Sequence, residues 1–172
     1  GRAVEHFGSI DILVNNAGIL RPTRVIDIEE EEWDLVIGVN LKGTYLCSKA
    51  VAQHMIARGG DGKIIIISSG AGKRGIARFA AYCSSKFALI GFTQSLAQEL
   101  GPHRINVNAI CPGVVDTERW DFIAAALAPQ GESSEEYRAQ MMQERSTRLP
   151  LGRVAVGDDI AKMAAFLSSS EA

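Results

Sequence analysis

Residues 63–110 read KIIIISSGAGKRGIARFAAYCSSKFALIGFTQSLAQELGPHRINVNAI. The opening run, 63–67, is short, β-branched and apolar on both faces, as suits a strand buried inside a parallel sheet. Residues 80–100 read as a helix that gives way at Gly101-Pro102, where proline disfavours further helix. Residues 105–110 then return as a strand that stops at Cys111-Pro112-Gly113. Upstream, residues 10–14 (IDILV) form another short branched run, halted by Asn15-Asn16-Ala17-Gly18. Between the first two strands, residues 29–58 are mostly helical. Asp27 is the expected cap, the acidic run 29–32 suits the positive end of the helix dipole, and Gly38 with Asn40 predicts a kink. Strand, helix, strand, helix, strand is the rhythm of an α/β fold with a parallel sheet and crossover helices. Residues 114–149 read as a long excursion with helical pieces, and 158–168 as a last helix.

In such sheets ligands bind beyond the carboxyl ends of the strands. Asn15 to Gly18, Ser69 to Gly72 and Pro112-Gly113 each follow a strand, so three loops converge on one crevice. Tyr82 and Lys86 stand four residues apart in the helix that opens above it, and this spacing puts phenol and ammonium on one face. A tyrosine titrating near ~10 is reluctant acid/base machinery at neutral pH, and lowering that value by about three units requires about 4 kcal/mol. A lysine ammonium at roughly 4 Å, in surroundings of effective dielectric about 20, supplies about that much.

Bulk composition sets the outer limits. With 172 residues, 47% hydrophobic and 22% charged, the sequence suits one soluble domain. A formal net charge of −2 gives no electrostatic reason to expect nucleic acid or an anionic membrane as partner. No apolar run approaches membrane-spanning length and no secretory signal opens the chain, so the cytoplasm is the default location. Cys47, Cys83 and Cys111 are odd in number and far apart, which suits reduced thiols better than a disulfide framework. His6, His54 and His103 fall in no metal-ligand spacing with them, and no metal site is expected.

Each feature also has a plainer reading. The stretch 70–75 matches the glycine spacing of a dinucleotide fingerprint, but Ser68-Ser69 separates it from its strand and the following strand ends in Cys111-Pro112 rather than an acidic residue. It fails as a phosphate loop too, and reads as an ordinary flexible loop beside a site. Ser69 alone could be satisfying its own backbone, Asn40 could merely kink a helix, and a Tyr-x-x-x-Lys pair arises by chance on many helices. Together, in this order and at these spacings, the set is specific.

That set resembles the short-chain dehydrogenase/reductase family over nearly the whole chain: Asn-Asn-Ala-Gly at 15–18, Asn40, Ser69, Tyr82 with Lys86, and Pro112-Gly113 with Thr117 close behind. The resemblance implies a doubly wound, Rossmann-like sheet, an NAD or NADP cofactor, and reversible oxidation of an alcohol to a ketone or aldehyde. It makes Tyr82 the general acid/base, Lys86 its partner and a holder of the nicotinamide ribose, and Ser69 a donor to the substrate oxygen. Asn40 would position a relay water. Asn15, Ala17 and Gly18 would border the adenosine side of the cofactor; Pro112, Gly113, Val115 and Thr117 would lie toward the nicotinamide.

The family's glycine-rich fingerprint would precede Gly1 and its last strand would follow Ala172. The expectation is therefore one partial Rossmann-like catalytic domain over 1–172, incomplete at both ends, weakly active alone, with an exposed edge at strand 10–14. Trp120, Phe122, Ile123, Leu127, Met141 and Met142 in the excursion either line a pocket for a largely non-ionic alcohol or carbonyl compound or simply pack its helices. Arg74 and Arg78 read as solvated. Surplus apolar surface around Phe87 to Phe92 implies a homodimer or homotetramer. The rivals are a non-catalytic cofactor-sensing or assembly protein of the same fold, and a truncated product acting as a subunit-interface fragment.

Overall fold

In the computed structural model, which describes residues 2–172, three parallel strands stand in the order β1-β2-β3: β1 Ile12–Asn15, β2 Gly62–Ile67 and β3 Ile105–Ile110. Leu13 lies opposite Ile64, and Ile64 in turn opposite Val107, which fixes the register by the apolar residues of one face. Helix α1 (Arg2–Phe7) precedes β1. Two crossovers follow, one through α2 (Glu30–Ile37) and α3 (Gly43–Ala57), the other through α4 (Ala80–Leu100). Both the predicted helix 80–100 and the predicted strand 105–110 are found with the bounds read from the sequence.

The main core joins Val51, Ala52 and Met55 of α3, Ile64 and Ile66 of β2, Leu89 and Leu100 of α4, and Ile105 and Val107 of β3. Ile65 points to the opposite face and is equally inaccessible there, where α7 (Gly157–Ser168) packs against β2 and β3. Burial on both faces is why β2 reads as a continuous apolar run, each isoleucine contributing about 1.5–3 kcal/mol. Strands β2 and β3 are thus covered on both sides, a doubly wound, Rossmann-like arrangement. Among the described residues β1 pairs only with β2, and its Ile12 and Val14 are 47% and 45% exposed, so this edge carries the apolar surface the sequence predicted.

The turn before β2 needs glycine at position 60. Its φ is +86°, and a Cβ there would come within 2.3 Å of the His103 carbonyl oxygen. Asp27 does not cap the following helix; it lies in a short 3-10 turn and pairs with Arg24, while Glu29 takes the cap position without a side-chain bond. Glu30, Glu31 and Glu32 still occupy the first turn, where the dipole favours them. The predicted kink is a π-helical turn, Gly38–Lys42, that joins α2 to α3 and carries Asn40 inward.

The excursion forms α5 (Arg119–Leu127) and α6 (Ser134–Arg148), which pack on one another. A second core ties them to α4: Ile123, Ala124 and Met141 meet Leu20, Ala71, Phe79, Tyr82 and Cys83. Both readings of the excursion's apolar residues hold in part. Trp120 and Ile123 line the cleft described below, Leu127, Met141 and Met142 pack, and Phe122 is partly exposed under the guanidinium of Arg21. No helix is long and apolar enough to cross a membrane, and no cluster of three potential metal ligands occurs among the described residues.

Candidate active site

A cleft of about 1420 Å³ opens at the carboxyl ends of the three strands. Asn16, Ala17 and Gly18 after β1, Ser68 and Ser69 after β2, and Pro112 and Gly113 after β3 all line it, with Tyr82 and Lys86 from α4. Parallel strands end on one side, so loops distant in sequence meet there.

The loop after β2 turns at once into a 3-10 turn, Gly70–Gly72. Ser69 caps it, its Oγ accepting the Ala71 N–H at 3.1 Å. Accepting leaves the hydroxyl proton as a donor, so serving the backbone and serving a ligand are compatible. Buried Ser68 donates to the Lys86 carbonyl at 2.8 Å and pins the loop to α4. Sequence reading had cast this stretch as a flexible loop; Ala71 and Gly72 are instead buried in a packed turn. A Cβ at Gly72 would lie 2.7 Å from the Lys86 carbonyl oxygen and 2.8 Å from Ser68 Oγ. Gly72→Ala is therefore expected to cost about 1–3 kcal/mol, measurable by urea denaturation. Unchanged stability would mean that loop and helix are not in contact as described.

Asn40 is fully buried. Its Oδ1 accepts the Ile19 N–H at 2.8 Å, while Nδ2 donates to the Ile19 carbonyl at 2.9 Å and to Ser85 Oγ at 2.9 Å. Ser85 in turn donates to the Tyr82 carbonyl at 2.7 Å. One amide thus fastens the loop after β1 to the helix turn bearing Tyr82, and it does so from behind the cleft rather than from its wall. Gly18 sits in the angle between them: a Cβ there would stand 3.3 Å from Asn40 Oδ1 and 3.4 Å from Lys86 Nζ. Any larger residue would press on both.

Lys86 is buried, 3% exposed, and its Nζ donates to the Ile67 carbonyl at 2.8 Å. The ammonium lies 5.6 Å from the centre of the Tyr82 ring. Desolvation, reinforced by the nearby Arg119 cation and partly offset by Cys111, pulls its pKa down from 10.5 to about 8. Arg119, at the start of α5, closes the group: Nη2 donates to the Gly18 carbonyl at 2.9 Å and Nη1 reaches the Tyr82 hydroxyl at 3.4 Å.

Of the residues predicted from sequence, Ala17, Gly18, Ser69, Tyr82, Lys86, Pro112, Gly113, Val115 and Thr117 line the cleft. Asn15 does not. Its Nδ2 donates to Ser48 Oγ on α3 at 3.0 Å, because the last residue of β1 shares the helix-covered face with Leu13, and Asn16 reaches the cleft in its place. Arg119, Arg145 and Ser68 escaped sequence reading. Ser68 could have been found from its spacing, one residue past a buried strand, whereas the arginines reach the cleft only through the path of the excursion.

The family model described as short chain dehydrogenase matches residues 1–127. Galactitol 2-dehydrogenase of Agrobacterium fabrum is 46% identical over 168 residues, covering 97% of this chain and 64% of that enzyme. Among solved structures, ligand-free aldohexose dehydrogenase of Thermoplasma acidophilum superposes with a TM-score of 0.89 at 32% identity, covering 99% of this chain and 65% of that one. ElxO with NADP bound gives 0.82 at 30% identity, over 99% of this chain and 64% of that one. The chain thus spans a little under two thirds of the length of these relatives. A match over most of the chain, on a parallel sheet with its cleft at the strand ends, makes the protein a member of the short chain dehydrogenase family.

Proposed function

We propose that this chain carries the catalytic region of an NAD- or NADP-dependent oxidoreductase that interconverts an alcohol and a ketone or aldehyde, with Tyr82 as general acid/base. The observation that carries this reading is the meeting of Tyr82, Ser69 and Lys86 with the Gly18 loop around one cleft.

The residues present suit a nicotinamide dinucleotide. The cleft exceeds the roughly 300–1,000 Å³ of ordinary small-molecule pockets, leaving room for cofactor and substrate together. Lys86 spends one N–H on Ile67 and keeps the others for ribose hydroxyls, and the space kept open at Gly18 lets a ligand approach that ammonium closely. Ala17 and Gly18 would border one end of the cofactor, and Pro112, Gly113, Val115 and Thr117 the other. The nicotinamide would take up or give the hydride.

The protein's own part is protonic and electrostatic. Tyr82 Oη would exchange the hydroxyl proton of the alcohol, Ser69 Oγ would donate to the same oxygen where charge develops, and Lys86 would hold positive charge nearby. Asn40 contributes by holding, since its amide is already engaged with Ile19 and Ser85. Tyr45 and Leu46 of α3 and Phe87 of α4 leave apolar surface exposed, which supports a homo-oligomer.

Fluorescence titration of the full-length protein with reduced NAD and NADP, followed by nicotinamide absorbance in an alcohol panel, tests the proposal. Saturable binding and cofactor-dependent turnover are expected. Binding without turnover of any alcohol or carbonyl compound would refute the catalytic reading.

A further inference from the structure

The cleft wall is cationic beyond Lys86. Arg74, Arg119 and Arg145 line it, and Glu118 is the single carboxylate among the described lining residues. Outside the cleft Arg24, Arg58, Arg104, Arg138 and Arg153 each hold an aspartate, while Arg2, Arg21 and Arg78 have no ion pair among the described residues. Arg119 and Arg145 have no ion-pair partner among the described residues.

Arg119 directs its fork at two neutral oxygens, the Gly18 carbonyl and the Tyr82 hydroxyl, on opposite walls of the site. Neutral acceptors compensate a guanidinium poorly, and the acceptors whose shape matches the fork are a carboxylate or a phosphate, of which the planar carboxylate is the smaller. Arg145 lies over the Trp120 ring, 4.5 Å from its centre, and its Nη1 donates to the Met141 carbonyl of its own helix at 3.2 Å. Desolvation by partial burial lowers its pKa, offset in part by the nearby Glu144 carboxylate. Two guanidinium groups without an ion-pair partner in one cleft favour an anion.

Distance narrows the choice. Arg119 Nη1 is 3.4 Å from Tyr82 Oη, where the reacting oxygen binds in the function proposed above. A carboxylate oxygen at ~2.8 Å from that nitrogen, with the alcohol oxygen within about 2.6–3.2 Å of the phenol, puts the two groups no more than about 9 Å apart, within the span of one small molecule. We infer that the substrate is a short hydroxy acid or the corresponding oxo acid, its carboxylate held by Arg119 on the same side of the cleft as the carbon that is oxidised. With oxidised nicotinamide bound as hydride acceptor, that carbon would lose hydride, the hydroxyl proton would pass to the Tyr82 oxygen as phenolate, a C=O bond would form, and the carboxylate would be unchanged. This differs from the non-ionic substrate expected from the apolar residues of the excursion, and it rests on the oxidoreductase reading.

The test compares lactate and β-hydroxybutyrate with their methyl esters, using the full-length protein and its preferred cofactor. The wild type is expected to favour at least one acid over its ester by about tenfold or more in kcat/KM. Arg119→Met should lower that acid-to-ester ratio about 10- to 100-fold, as loss of a charge-assisted contact implies, and mainly through KM. Arg119→Lys should restore part of it. Esters used as well as acids by the wild type, neutral alcohols turned over with neither acid accepted, or an unchanged ratio in a folded Arg119→Met variant would each overturn the inference while leaving the oxidoreductase reading intact. Failure to bind nicotinamide or to turn over any alcohol would overturn both.

Discussion

Tyr82→Phe is expected to lower kcat of the full-length enzyme by about 10²–10⁴-fold, while its affinity for reduced cofactor shifts by no more than about threefold. Burial and contacts make the two readouts separable. Tyr82 is 6% exposed, and its ring is packed among Leu20, Ala71, Phe79 and Cys83. Phenylalanine keeps that ring and its buried area, so the fold and the walls of the cleft survive. Only the hydroxyl goes, and with it the long contact from Arg119 and the group assigned to proton exchange. Because Ser69 and Lys86 are untouched, the variant also reports how much rate they supply without an acid/base. Turnover within a few-fold of wild type would eliminate Tyr82 from the proton step and shift attention to a water or to Lys86 itself.

The legible parts of this molecule are those fixed by local chemistry. Gly101-Pro102 ends α4, and Pro112-Gly113 follows β3 within two residues, because proline and glycine act on the backbone wherever they stand. The interruption at Gly38 and Asn40 was visible as a defect in helical pattern, although nothing local says that the defect is a π turn whose asparagine clamps Ile19. Asn15 is a different case. Alternation places it on the face of Leu13, toward α3, so the sequence held the answer and the motif obscured it. Asp27 was lost to competition, since Arg24 lies three residues away and takes its carboxylate before the helix can. Arg119 and Arg145 could not have been read at all. They owe their positions to α5 and α6 folding back over Tyr82, a tertiary event that no residue spacing in 114–149 announces.

Lys86→Met is expected to separate function from stability. Activity should fall by about 10²-fold or more, as when a charge near the developing phenolate or alkoxide is removed. Stability should behave in the opposite sense. In the folded wild type Lys86 titrates at about 8 rather than 10.5, chiefly because burial disfavours the ammonium. Between those values the unfolded chain binds a proton that the folded chain does not, so stability rises with pH through this window. Below about pH 8 the penalty is fully present, and across the window it is relieved by about 3 kcal/mol. Methionine carries no charge to desolvate, although it leaves the Ile67 carbonyl without its donor at a cost of about 1–3 kcal/mol. Near neutrality the two effects leave the variant at least as stable as wild type, and the rise in stability between pH 8 and 10.5 should be absent from it. Urea denaturation of both proteins without cofactor, at intervals across that range, measures the difference directly. An equal rise in the two would place its origin in another group, and a variant several kcal/mol less stable at neutral pH would show that Lys86 is held for structure rather than kept, at a cost to the fold, for chemistry.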